Sequence, residues 1–257
     1  MGYGDEIIVT GQARTLFLKN GRKVMVVDRY NRPRTHDLWA NNPRIRNTFE
    51  PTSEPLQRLQ NGPGLRPYIK DKTEKQWQWR DWECPVGELY FAKSELQTAD
   101  VLGSPCVVIE PFIKRKASPN KSWGRARWDR LGELMLRAGI EYYQLGPRDT
   151  PLISGARLIE TQTFRIACTV LAKAKAAVLH EGGLHHAAAA LGVPSVVLFG
   201  GFIGPQQTGY ALHTNLFTGG EPCGMRIPCD HCERAMSLIE PEMVFDSLVK
   251  ILAKRSA

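Results

Sequence analysis

The stretch from His180 to Pro194 reads His-Glu-Gly-Gly-Leu-His-His-Ala-Ala-Ala-Ala-Leu-Gly-Val-Pro and lies between two apolar runs, Ala177–Leu179 and Ser195–Phe199. Strand, turn, small-residue helix and strand follow from that pattern, with Glu181, Gly182 and Gly183 in the turn. Glycines there let a ligand approach the backbone. The free N–H groups and the positive end of the helix favour an anion, so the chemistry predicted is phosphate or pyrophosphate binding. A plain strand-to-helix turn with two glycines has the same sequence. The acid before the glycines and the histidines on the first helical turn add groups that reach a ligand. His185 and His186 are adjacent and point about 100° apart on a helix, so at most one of them faces the site.

Three further groups carry chemistry. Asp5 follows Gly2-Tyr3-Gly4 and starts a helix over Asp5–Leu18, where the helix end keeps a carboxylate ionised; capping the helix is its other reading. Lys114 and Lys121 follow the apolar run Cys106–Ile109 within the basic set Lys114-Arg115-Lys116, Lys121, Arg125, Arg127 and Arg130. Cys223, Cys229 and Cys232 cluster, the last two with Cys-x-x-Cys spacing, and His231 or His213 offers a fourth ligand. A complete zinc site usually shows two such pairs, so packing or a redox-sensitive pair is the expectation here, with metal as the alternative.

The elements that must position these groups are clearest after residue 104. Strands are predicted at Val107–Ile109, Tyr142–Leu145, Arg157–Ile159, Ala177–Leu179 and Ser195–Phe199. Helices are predicted at Trp128–Arg137, at Phe164–Lys173 behind Thr161 or Thr163, at Leu184–Leu191, and over 241–253. Such alternation with buried strands makes a doubly wound parallel sheet. Before residue 104 only the first helix and a strand at Lys23–Asp28 stand out, and residues 40–85 have weak periodicity. The boundary is placed near Leu102–Pro105, giving domains 1–103 and 104–257.

The 34 basic and 26 acidic residues leave a charge of +8. Part of the excess lies in Arg14, Lys19, Arg22, Lys23, Arg29, Arg32, Arg34, Arg44 and Arg46. Both basic runs follow strands, and ligands of open parallel sheets bind beyond strand ends, so the charge is expected to face a shared crevice and a phosphorylated ligand. A composition of 42% hydrophobic residues excludes a disordered chain. With no uninterrupted apolar run of about 18 residues and no basic-then-apolar N-terminus, neither a spanning helix nor a signal peptide is predicted. The scattered Cys84, Cys106 and Cys168 fit a reducing cytoplasm. Peripheral contact with the inner face of a membrane is compatible with the charge.

The His180–Pro194 segment with Phe199-Gly200 resembles the donor-binding signature of the ADP-heptose glycosyltransferases (heptosyltransferases, glycosyltransferase family nine), with Glu181 where the family usually has Asp. Lys121-Ser122-Trp123 with Trp128 is similar to the family's Lys-x-Trp-Pro segment, Gly124 standing for the proline. Gly2-Tyr3-Gly4-Asp5-Glu6-Ile7 is similar to its N-terminal glycine loop. The resemblance implies a GT-B-like α/β fold, two Rossmann-like parallel-sheet domains facing a cleft. A strand precedes the glycine loop in the family, so the N-terminal domain is expected to be reduced. It implies an inverting transfer of a sugar from a nucleotide-sugar donor to an acceptor hydroxyl. Asp5 is then the base, with Glu6 and Glu110 in reserve. Lys121, helped by Lys114, stabilises the departing phosphate, and Glu181, Gly182, Gly183 and His186 bind the donor. No DxD element is present, so no metal or other obligatory cofactor is expected. A polyanionic acceptor such as a lipopolysaccharide core suits the charge. Two readings compete: a nucleic-acid-binding protein stacking bases on Trp77, Trp79 and Trp82 among Lys72, Lys75 and Arg80, or a DNA-base glycosyltransferase; and a nucleotide-sugar epimerase or hydrolase on the same architecture.

Overall fold

In the computed structural model, which describes residues 2–103, 105–114 and 117–256, the chain opens on helix α1 (Tyr3–Asn20). Its residues Gly4–Gly11 are buried, which explains why this segment shows apolar residues without a polar stripe. The polar groups inside it are satisfied. Glu6 receives Arg34 at 2.8 Å and Asn61 at 3.1 Å, and Thr10 accepts the Glu88 amide at 2.7 Å. Strands β1 (Val24–Val27) and β2 (Gln57–Gln60) pair in parallel, and β3 (Ile69–Lys72) and β4 (Trp77–Trp79) form an antiparallel hairpin before helix α2 (Lys93–Leu102). Among the described residues the N-terminal parallel sheet has two strands.

The remainder alternates as the sequence pattern predicts. β5 (Val107–Ile109), α3 (Arg125–Arg137), β6 (Tyr142–Gly146), β7 (Arg157–Glu160), α4 (Phe164–Leu171), β8 (Ala176–His180), α5 (Gly183–Ala190), β9 (Ser195–Leu198), α6 (Pro205–Thr208), β10 (Thr214–Leu216), α7 (Asp230–Ser237) and α8 (Pro241–Ser256) follow in order. Thr163, rather than Thr161, caps α4 through its hydroxyl. The six strands β5–β10 form one parallel sheet in the order β10-β9-β8-β5-β6-β7. The direction of winding therefore switches between β5 and β8, the place where doubly wound sheets open a ligand crevice.

Alternate residues of these strands feed two cores. Val107, Ile109, Ala176, Val178, Val196 and Leu198 face Trp128, Leu131 and Met135 of α3 and Val244 and Leu248 of α8. On the other side Val108, Ala177 and Leu179 join Leu184, Ala187 and Ala188 of α5, and this cluster continues into Ile7, Val9 and Ala13 of α1 and Val24, Val26 and Trp39. One apolar core thus joins segments on both sides of the predicted domain boundary. Helix α1 lies against α5 so closely that a methyl group on Gly4 would strike the His186 ring. The alanines of α5 make that approach possible, since they place little volume between backbone and neighbours.

Candidate active site

A cleft of about 670 Å³ opens at the switch between β5 and β8. All the residues singled out for donor binding or catalysis line it: Asp5, Lys114, Lys121, Glu181, Gly182, Gly183 and His186. Four elements bring them there. α1 carries Asp5, the segment after β5 carries Glu110 and Lys114, the turn before α3 carries Lys121, and the β8–α5 turn with the first turn of α5 carries the rest.

Asp5 is buried and surrounded by donors. Arg66 Nε stands 2.9 and 3.0 Å from its two oxygens, Tyr68 donates its hydroxyl to Oδ1 at 2.7 Å, and the Gly2 amide donates to Oδ2 at 3.0 Å. Burial alone would favour the neutral acid, but the charge and hydrogen bond of Arg66, with Tyr68 and Gly2, outweigh it and hold the carboxyl below its ordinary value. Asp5 is therefore ionised at neutral pH. It also closes the first turn of α1 through Gly2, so the capping contact and the position in the cleft coexist. Glu6 is committed to Arg34 and Asn61 and does not line the cleft.

Across the cleft Lys121 pairs with Glu181, and both are largely buried. Burial pushes the Glu181 carboxyl up, while Lys121 and His186 pull it down further, so it stays ionised below its usual value. The loop bearing Lys121 is held by His180. Its Nε2 accepts the Trp123 amide at 3.2 Å and its Nδ1 donates to the Glu110 carbonyl at 2.9 Å, bonds that fix a neutral ring, which burial pushes down to about 4. Glu110 lines the cleft between Lys114 and Lys121. Burial and the Glu181 charge lift it to about 8, against the pull of the two lysines.

His186, not His185, reaches the cleft. Tyr210 accepts the Cys84 thiol at 3.2 Å and so presents its own proton to His186 Nδ1 at 2.7 Å, leaving Nε2–H directed at Glu181, 3.8 Å away. Burial holds this imidazole neutral, near a pKa of about 4. Glu181, His185 and His186 also bring metal-ligating atoms within 4.8 Å of one another, but Lys121 already neutralises the carboxylate and Tyr210 occupies His186 Nδ1. A side chain on Gly183 would meet the Phe164 ring at 3.1 Å and Tyr3, which stack with ring centroids 4.2 Å apart, whereas one on Gly182 would meet nothing nearer than the His180 carbonyl oxygen at 3.9 Å.

The first basic run does not face this crevice. Arg14 and Arg44 reach Glu88, Arg32 reaches Asp28 and Arg34 reaches Glu6; none of the run lines the cleft. Among the described residues of the second run, Lys114 and Lys121 line the cleft, while Arg125 binds Asp129 and Arg130 binds Glu242. Arg115 and Lys116 lie outside the described residues. The cleft's other cations, Arg66 and Arg226, sit on Trp77 with each guanidinium carbon 4.9 Å from its ring. Sequence reasoning missed both, and Tyr68. The one available signal was an arginine among turn residues, Gly62-Pro63-Gly64-Leu65-Arg66-Pro67. Of the tryptophans proposed as base-stacking platforms, Trp77 lines the cleft under the two arginines, Trp79 donates to the Phe202 carbonyl at 3.0 Å and Trp82 lies on Tyr68.

The model of glycosyltransferase family 9 (heptosyltransferase) matches residues 78–215, just over half of the chain. The chain belongs to glycosyltransferase family 9. Among solved structures, a family 9 glycosyl transferase from Veillonella parvula is similar over 99% of this chain and 95% of its own, at 13% identity and a TM-score of 0.67. The Escherichia coli ADP-heptose lipopolysaccharide heptosyltransferase II is similar over 68% of this chain at 20% identity and a TM-score of 0.52. This family 9 chain spans 56% of the length of the E. coli protein. At these identities the two neighbours show the GT-B fold. No curated protein matches. Among the described residues no helix is long and apolar enough to cross a membrane.

Proposed function

We propose that this family 9 chain is an inverting glycosyltransferase that moves a sugar from a nucleotide-sugar donor to an acceptor hydroxyl, with no metal ion in the transfer step. Residues 1–103 form the acceptor side and 104–257 the donor side. One observation carries the reading: a carboxylate held ionised, Asp5, faces Lys114, Lys121 and the N-terminus of α5 across a single cleft at the sheet's switch point. The acceptor O–H gives its proton to Asp5 as its oxygen attacks the anomeric carbon. The bond from that carbon to the phosphate oxygen breaks on the opposite face, and its electron pair leaves with the nucleoside diphosphate. Lys121, Lys114 and the α5 amides take up the developing charge. Two contacts must yield for this. Asp5 gives up one of its donors to the acceptor hydroxyl, with Arg66 on the solvent side the partner able to move. Lys121 turns from Glu181 to the diphosphate, freeing Glu181 for donor hydroxyls.

ADP-linked sugars are the first donors to try, since the E. coli neighbour is named for ADP-heptose. Arg66 and Arg226 at the cleft favour an anionic acceptor, such as a phosphorylated glycan displayed at the inner face of a membrane. A thermal-shift panel of ADP-, GDP-, UDP- and CDP-sugars tests the proposal, because a ligand that binds the folded state alone raises its melting point. At least one sugar nucleotide should stabilise the parent and lose its effect in Lys121→Met. No stabilisation by any of them would remove the donor site.

A further inference from the structure

The sequence offers one Cys-x-x-Cys pair, but the fold assembles a fuller set. Cys229 precedes α7, His231 and Cys232 lie in its first turn, and Cys223 arrives from the preceding loop. Sγ of Cys223 stands 3.1 Å from that of Cys232 and 4.0 Å from that of Cys229, and Nδ1 of His231 is 4.0 Å from Sγ of Cys232. The four atoms all lie within 4.8 Å of one another. Zinc–sulfur bonds of about 2.3 Å at tetrahedral angles put sulfurs about 3.8 Å apart, in the middle of that range.

The surroundings prepare these atoms. His231 Nε2 donates to the Gly219 carbonyl at 2.7 Å, which leaves the Nδ1 lone pair directed at the thiols. The Met225 amide donates to the Cys223 sulfur at 3.4 Å. His213, the other ligand suggested by sequence, lies instead at the His185 carbonyl. A Cys223–Cys232 disulfide would use two of the four groups and leave Cys229 and His231 unexplained.

We propose that Cys223, Cys229, Cys232 and His231 bind one thiophilic divalent cation of the zinc class in a closed tetrahedral site that braces the loop between Cys223 and Cys229. The loop's other fastenings show what the brace positions. Asn120 donates to the Met225 and Ile227 carbonyls, at 2.7 Å each, and the Trp77 amide donates to the Gly224 carbonyl at 3.0 Å. Arg226 is thereby laid over Trp77 at the cleft, beside the turn that carries Lys121. With no open position on the ion, its role is structural, and the proposal does not depend on which sugar is transferred.

The test is metal content. The full chain, purified without a metal-affinity tag, is denatured and its zinc and iron are counted alongside its free thiols. One equivalent of either ion per chain is expected, falling to background in Cys229→Ala and His231→Ala and retained in Cys106→Ala. Cobalt added to metal-stripped parent should give the intense visible bands of a tetrahedral thiolate site, and zinc should restore the melting temperature that chelation lowers. A folded parent that carries no ion and takes up neither zinc nor cobalt would overturn the proposal. So would a chain lighter by two hydrogens with Cys223 and Cys232 oxidised.

Discussion

Replacing Asp5 by asparagine keeps the side chain's shape but removes its charge and half of its acceptors. The carboxylate accepts from Arg66, Tyr68 and Gly2 together. An asparagine oxygen placed toward Arg66 and Tyr68 must turn its own NH₂ against the Gly2 amide, and the opposite flip turns it against the Tyr68 hydroxyl. The variant therefore loses one backbone cap, about 0.5–2 kcal/mol, and leaves the half-buried Arg66 without its counter-charge, about 1.5–3 kcal/mol. The total, about 2–5 kcal/mol, corresponds to a fall of roughly 4–20 °C in melting temperature for a chain of this size. Because the folded-state pKa of Asp5 is depressed, its contribution is present above the unfolded carboxylate value and lost as pH falls through the folded one. The gap between parent and variant should be full at neutral pH and shrink below about pH 4. Turnover, measured below the variant's transition with saturating donor, should drop by about 10²–10⁴-fold, at least about 2.7 kcal/mol of barrier, while donor affinity holds within about threefold. A folded variant with parental turnover would refute the assignment of Asp5 as base. So would a rate loss matching only the fraction unfolded.

Glu181→Gln leaves Lys121 without its competitor, so calorimetry should show ADP binding tightened by roughly three- to tenfold; unchanged affinity would mean that Lys121 does not meet the diphosphate. Gly4→Ala drives a methyl group into His186 and should cost about 1–3 kcal/mol in urea unfolding; no loss would disprove the close packing of α1 on α5. Burial holds His180, His186 and His213 near about 4 in the folded protein. The unfolded chain therefore binds more protons below about pH 6.5, and stability should decline as pH falls from there towards 4. Calorimetric melting at constant ionic strength checks this, and a flat profile would show these rings are not buried neutral.

Legibility in the sequence followed how locally each element is determined. Every strand from β5 to β9 and each helix of eight or more residues from α3 to α8, α7 excepted, was readable, because apolar runs, caps and the Gly192–Pro194 stop are contained in short windows. The glycine turn and its acid were readable for the same reason. The β3–β4 hairpin was not. Its strands are held by Trp79 on the Phe202 carbonyl and Trp77 on Gly224, partners more than a hundred residues away that leave no period behind. Arg66 was invisible for a related reason: it matters through Asp5, 61 positions earlier, and no local pattern marks an arginine as another residue's counter-ion. The first basic run misled because acids distant in sequence, Glu6, Glu54 and Glu88, pair with Arg34, with Lys23, and with Arg14 and Arg44 in the fold.

The seam between α1 and α5 also bears on the calorimetry of donor binding. The helix that carries Asp5 and the helix that begins at Gly183 share one apolar core, so the span between the proposed base and the proposed phosphate turn is set by packed side chains and not by a hinge. Enzymes whose lobes shut on a ligand bury apolar surface of their own, which adds a negative heat-capacity change to that of the ligand. Here the lobes are already joined. Donor binding measured at several temperatures should show a heat-capacity change no larger than the ligand's own buried surface accounts for.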